Sequence, residues 1–371
     1  MPDRLLITGL SGSPGRILAI DGLIEALDGD SPPDVPTIDG AGLSAAPGFI
    51  ELQVNGVGDA DFTADPASIH RGAAMLPRHG VTSFLPTIVT SPRGTVEAAL
   101  ASVANPPDLD AAVSLGLHVE GPFISPRRLG AHDPAWRRDP DLDEIRSWLR
   151  DGVRMLTLAP ELPGGLEAIE VIADAGAIAA IGHTDADAAT TSGAIDAGAR
   201  YATHLFNGMP PLDHRKPGPA GVLLADERVV VGLIADGVHV HPLVLDIVAR
   251  SAAGRMSLVS DAVARGLGGR PLTHGPDGAR LPDGTLAGGS AGLDHVVRTF
   301  AGIAGRDAAL AAVTEIPARL LGLDDGRGTL RVSGRADIVL LTADLEVAAT
   351  IVGGRVAFRS PGPAAPDPAP G

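Results

Sequence analysis

Apolar positions in this chain fall into two textures. Between about residues 47 and 323, short continuously apolar runs recur, at 49–54, 82–88, 113–120, 155–160, 177–183, 201–205, 229–235 and 256–261. Runs of this kind, without polar alternation, mark strands buried on both faces. Ala/Leu-rich amphipathic stretches separate most of them, as at 65–76, 143–149, 186–193 and 242–253, and their spacing predicts helices. Alternation of strand and helix argues for a parallel sheet. About eight such units in this length favour a closed (β/α)8 barrel of the TIM type over an open doubly wound sheet. The chain ends differ: segments at 4–8, 16–20 and 37–39, and again at 337–341, 347–352 and 355–358, alternate in polarity and are punctuated by Gly, Pro and Asp. They read as small antiparallel strands.

Composition narrows the picture. With 371 residues, 44% of them hydrophobic, the chain can bury one large core and a smaller one. No apolar run approaches the roughly 18 to 20 residues of a membrane span. The first ten residues lack the apolar core and cleavage site of a signal peptide. There are no cysteines, which excludes disulfides and thiolate metal sites and fits a cytoplasmic protein. The net charge of −16, without a basic patch, speaks against nucleic acid as a partner. An anionic substrate would therefore need locally placed positive groups.

Polar residues that apolar packing does not want recur at the ends of the strand-like runs: Gln53 and Asn55, His118 and Glu120, His183, His204, Asp236 and His239, then Asp261. In a barrel these ends converge on one mouth. Glu120, His183 and His204 form a carboxylate–imidazole–imidazole set, a common catalytic zinc shell that also accepts iron, manganese or cobalt. The expected cofactor is one divalent metal ion per subunit, with zinc foremost. A two-metal centre bridged by a carboxylated lysine is unavailable, because the one lysine, Lys216, lies in the loop HRKPG. Where such barrels usually carry His-x-His, this chain has Gln53-Val54-Asn55, and neutral amides bind these metals weakly. Asp261 is the candidate general acid and base, able to take a proton from activated water and pass it to a leaving amine. Asn207, Gly208, Arg215 and His239 lie near the same rim as candidates for anion recognition.

Together the segments PGFIELQVNG, HVEGPFIS, LGAHDP, IGHTDA, THLFNGMPPLDHRKPG, GLIADGVHV, LVSDA and LAGGSAG resemble the N-acetylglucosamine-6-phosphate deacetylases of the amidohydrolase superfamily, in order and spacing, over nearly the whole chain. The resemblance implies a barrel over residues 47–323 and a small β-sandwich from residues 1–46 plus 324–360; the tail at 361–371, PGPAAPDPAPG, is of low complexity and reads as disordered. The resemblance also implies hydrolysis of the acetamide of an amino-sugar 6-phosphate. By motif, Glu120, His183 and His204 match metal ligands, Asp261 the catalytic aspartate, and His132 a histidine that polarises the amide carbonyl. Ala131, Asn207 and Gly208 match sugar- and phosphate-contacting positions, the last often alanine in the family. Arg215 and His239 match a phosphate clamp, the arginine being supplied by the neighbouring subunit of a homodimer. Gln53 and Asn55 match the single-metal branch, Gln53 counting among the substrate-binding positions. Ser290 falls where a substrate-side loop is expected. Two other readings stay open: a related amidohydrolase acting on another N-acetylated sugar or sugar phosphate, or on a cyclic or peptide amide; and a non-catalytic sugar-phosphate binding protein. Nothing in the sequence separates gluco, galacto and manno epimers.

Overall fold

The computed structural model describes residues 3–29, 34–105 and 110–361. Eight parallel strands form the barrel: β1 (Phe49–Val54), β2 (Val81–Val89), β3 (Leu117–Glu120), β4 (Val153–Leu158), β5 (Ile178–Ile181), β6 (Tyr201–Ala202), β7 (Val230–Leu233) and β8 (Met256–Leu258). Each pairs with the next in parallel register. The ring closes just beyond β8, where Asp261 N–H donates to Gln53 O at 3.0 Å and Asn55 N–H to Ala262 O at 2.8 Å.

A helix follows every strand: α1 (Ile69–Met75), α2 (Arg93–Ala104), α3 (Leu142–Asp151), α4 (Gly165–Asp174), α5 (Ala188–Asp196), α6 (Gly218–Ala225), α7 (Pro242–Ser251) and α8 (Leu293–Ala304). Helix α3 shows how local sequence sets the bounds. The Asp141 carboxylate accepts the N–H groups of Asp143 and Glu144, Gly152 ends the helix at φ +122°, and Ile145 and Trp148 face the core. Ile50, Leu52, Leu85, Met155, Tyr201, Ile234 and Val259 fill the bore. The barrel is therefore a packed core, and chemistry is confined to its mouth.

The chain ends build two packed four-stranded sheets. One holds Arg4–Thr8, Ile17–Ile20, Leu23–Leu27 and Thr37–Asp39; the other holds Ser44–Pro47, Ile338–Leu341, Val347–Val352 and Arg355–Arg359. Ile7, Ile17, Ile24, Ile338, Leu340 and Ile351 are buried between them. Strands 23–27 and 44–47 were not foreseen in the sequence. From residue 362 onward, the tail expected to be disordered lies outside the described residues.

Two departures matter for the site. The runs expected at 177–183, 201–205 and 256–261 stop as strands at Ile181, Ala202 and Leu258. The cause lies just beyond: His183 (φ +47°), His204 (φ +28°) and Asp261 (φ +47°) adopt left-handed backbone, which a strand cannot continue. The second is an antiparallel excursion after β8, with short strands at Gly266–Leu267, Arg270–Pro271, Thr273–Gly275, Gly278–Arg280 and Leu286–Gly288. No helix among the described residues is long and apolar enough to cross a membrane.

Candidate active site

A cavity of about 280 Å³ opens at the C-terminal ends of the strands. Asn55, Glu120, Ala131, His132, His183, His204, Asn207, Gly208, His239 and Asp261 line it, so ten of the residues singled out in the sequence meet in one place. Its other wall is the excursion, through Leu267 and Thr285 to Gly288. Gly288 (φ +140°) and Gly289 permit this approach: a Cβ on Gly288 would lie 2.6 Å from Asp261 O, and one on Gly289 2.2 Å from Ser260 O. Arg270 donates to the Ala131 carbonyl and ties the excursion to the loop that carries His132.

The three expected metal ligands stand in mutual contact. His204 Nε2 lies 2.8 Å and His183 Nε2 3.1 Å from Glu120 Oε1, and the two Nε2 atoms are 3.2 Å apart. Bonds of about 2.0–2.1 Å to a tetrahedral zinc put ligand atoms ~3.3 Å apart, close to these separations. His183 Nδ1, 2.8 Å from Arg128 O, can only donate there, which turns the Nε2 lone pair inward. His204 Nδ1 is buried without a hydrogen-bond partner among the described residues. Burial opposes charge on Glu120, but the hydrogen bonds from His183 and His204 hold it well below the usual carboxylate range. Burial likewise opposes protonating His204, yet Glu120 pulls it up to about 9. The cluster calls for a positive charge among these atoms, and the donor set fits a divalent cation. His132 is a third nitrogen at longer range, its Nε2 3.9 Å from Glu120 Oε1.

Asp261 is oriented by the two amides of β1 and its end. Gln53 Nε2 (3.1 Å) and Asn55 Nδ2 (2.8 Å) both donate to Oδ1, leaving Oδ2 without a side-chain donor among the described residues. Burial pushes Asp261 up to about 6, reinforced by the charge of Glu120. Gln53 is itself buried and reaches the centre through Asp261 rather than by lining the cavity. His239 Nδ1 bonds Asp236 Oδ2 at 2.8 Å, and Asp236 also accepts the N–H groups of Val238 and His239. The ring is thereby fixed on the rim.

Three residues behave differently. His118, buried under the site, is engaged by Leu52 O (3.1 Å) and Thr157 Oγ1 (2.7 Å), and burial lowers it to about 4; it is a neutral core residue. Arg215 is exposed on its loop, and its guanidinium makes no ion pair among the described residues. Ser290 is exposed beside a separate cavity of about 230 Å³ that also reaches Glu51; the LAGG motif meets the active cavity through Leu286, Ala287 and Gly288 instead. Thr90, beyond β2, was missed in the sequence, although it bonds His132 directly. The rule of polar residues at strand ends would have found it.

A closed barrel with a buried Glu–His–His centre and an adjacent aspartate defines a metal-dependent hydrolase. The chain belongs to the amidohydrolase family, whose model matches residues 45–357. It is similar to the N-acetylglucosamine-6-phosphate deacetylase of Bacillus subtilis (strain 168), 37% identical over 337 residues, covering 85% of this chain and 84% of that protein. The N-acetylgalactosamine-6-phosphate deacetylase of Escherichia coli O157:H7 is 34% identical over 354 residues, covering 91% of this chain and 93% of that one. Among solved structures, a mutant N-acetyl-D-glucosamine-6-phosphate deacetylase from Mycobacterium smegmatis, in complex with N-acetyl-D-glucosamine-6-phosphate, superposes with a TM-score of 0.86. It is 34% identical, and the match covers 96% of this chain and all of that one. The resemblance read from the motifs is thus borne out.

Proposed function

We propose that this protein removes the acetyl group of N-acetylglucosamine 6-phosphate, releasing acetate and glucosamine 6-phosphate. The observation that carries the reading is the convergence of the Glu120–His183–His204 centre, Asp261 and the rim histidine His239 on one small cavity. Glu120, His183 and His204 would hold a divalent metal, which when bound would supply Lewis acidity toward water and an amide carbonyl. Asp261 Oδ2 takes the proton of the attacking water, because Oδ1 is occupied by Gln53 and Asn55. His132 donates to the amide oxygen as charge builds there. Asp261 then delivers its proton to the departing amine nitrogen, which completes the balance of the hydrolysis. Asn207, Gly208 and Ala131 support the sugar and its phosphate, and His239 meets the phosphate. Zinc is the metal we favour, and a cytoplasmic location accords with the absence of cysteine.

The phosphate clamp is completed in this reading by Arg215 of a second copy. Leu212 (55% exposed), on the loop of Arg215, and Leu243 (69%), Ile247 (51%) and Val238 (36%) are exposed apolar side chains that a partner would cover. Leu243 and Ile247 are one turn apart on α7. Amine release from N-acetylglucosamine 6-phosphate, its galacto epimer and unphosphorylated N-acetylglucosamine tests the assignment. The phosphorylated gluco substrate should be turned over fastest, and equal rates with and without phosphate would overturn it.

A further inference from the structure

We propose that Thr90 is a positioning residue that locks His132 in the tautomer with its proton on Nε2, so that a neutral imidazole donates a hydrogen bond into the cavity. Thr90 is buried at the end of β2, with its backbone N 3.3 Å and its Oγ1 2.7 Å from His132 Nδ1. A backbone N–H can only donate, so Nδ1 must present its lone pair. A neutral imidazole then carries its one proton on Nε2. The hydroxyl, free to rotate, adds a second donor to the same lone pair. A proton on Nδ1 would instead face the Thr90 N–H head-on.

The neighbouring ring has the opposite arrangement. His183 Nδ1 faces the Arg128 carbonyl, which only accepts, so that ring turns a lone pair inward. The two rings lie 4.3 Å apart, centroid to centroid. Their outer partners, a carbonyl for one and an N–H with a hydroxyl for the other, make one a metal ligand and the other a donor. This also separates the roles of Glu120, His132 and His183, whose ligand atoms all lie within 4.8 Å of one another. Gly121 keeps Thr90 in place: a Cβ there would come 2.3 Å from Thr90 Oγ1. The residue after the ligand Glu120 thus leaves room for the hydroxyl that sets His132.

The inference rests on the reading of His132 as donor to the amide oxygen, and its test separates the two claims. Long-range ¹H–¹⁵N spectra of zinc-loaded, ¹⁵N-histidine-labelled protein report the tautomer without any substrate, with His132→Asn identifying the resonances. The expected pattern is Nε2 protonated and Nδ1 bare; a protonated Nδ1 overturns the proposal whatever the substrate proves to be. Thr90→Val keeps the shape and removes the hydroxyl donor. With the backbone N–H still holding Nδ1, the variant loses only the hydroxyl's hold on the ring and should lower kcat roughly tenfold while KM stays within about twofold and metal content is unchanged. Thr90→Ser should restore kcat to within about threefold of wild type. A kcat for Thr90→Val within about twofold of wild type, at equal metal content, refutes the hydroxyl's part in the positioning.

Discussion

Glu51 offers a magnitude that can be worked through. It is 1% exposed on β1, and its carboxyl accepts backbone N–H groups, from Gln53 at 3.2 Å and from Ser260 at 3.1 and 3.2 Å, and is also hydrogen-bonded by the Ser260 side chain. Those bonds tie β1 to the end of β8, immediately beneath Gln53 and Asp261. No cation pairs with it among the described residues, and burial pushes it from 4.5 up to about 8. The folded protein therefore keeps a proton that the unfolded chain gives up above pH 4.5. Stability contributed by that proton is present below 4.5, declines as pH rises toward about 8, and is gone beyond it. At 1.36 kcal/mol per pH unit the full loss is ~5 kcal/mol. Glu51→Gln preserves shape and removes the ionisation. Urea unfolding of both proteins from about pH 5.5 to 8.5, followed by circular dichroism, should show the variant gaining roughly 3 kcal/mol on the wild type between pH 5.5 and 8. Both proteins carry the same metal ligands, so other titrations cancel in the difference. A difference that does not change with pH would refute the reasoning.

Other consequences are direct. Asp261→Asn should lower kcat by at least about 10³ with metal content near wild type; substantial turnover in that variant would remove Asp261 from its role. Arg215→Ala should raise KM for the phosphorylated substrate about tenfold and leave the unphosphorylated sugar unaffected. If Arg215 acts across a dimer, mixing Arg215→Ala with Asp261→Asn subunits should regenerate sites with the wild-type KM, which neither variant shows alone. If a dimer forms through α7, Leu243→Glu with Ile247→Glu should yield monomers by sedimentation, with KM for the phosphorylated sugar rising about tenfold in parallel. Chelation should lower the urea midpoint as well as activity, because a metal bound only to the folded state stabilises it.

The barrel was legible because strands buried on both faces leave a continuous apolar signature, and because Glu120, His183, His204 and Asp261 interrupt it at the same end. The same rule also selected His118, which the fold engages with Leu52 O and Thr157; residue type alone does not distinguish a ligand from a satisfied core histidine. Apolar runs extend past the true strands at the functional ends, because His183, His204 and Asp261 leave extended backbone. The excursion at 266–288 escaped because its strands of two or three residues are too short to show a period. Thr90 was passed over because threonine does not titrate, although its value lies in what its N–H and hydroxyl do to His132.

The central claim is that the Glu120–His183–His204 centre makes this chain a metal-dependent deacetylase of an amino-sugar phosphate. Acetate release from N-acetylglucosamine 6-phosphate should be measured on protein stripped of metal and then titrated with zinc. Activity should be absent at first and rise linearly to a break at one metal per subunit. Full activity in the stripped protein, or none at any metal ratio, would contradict the account.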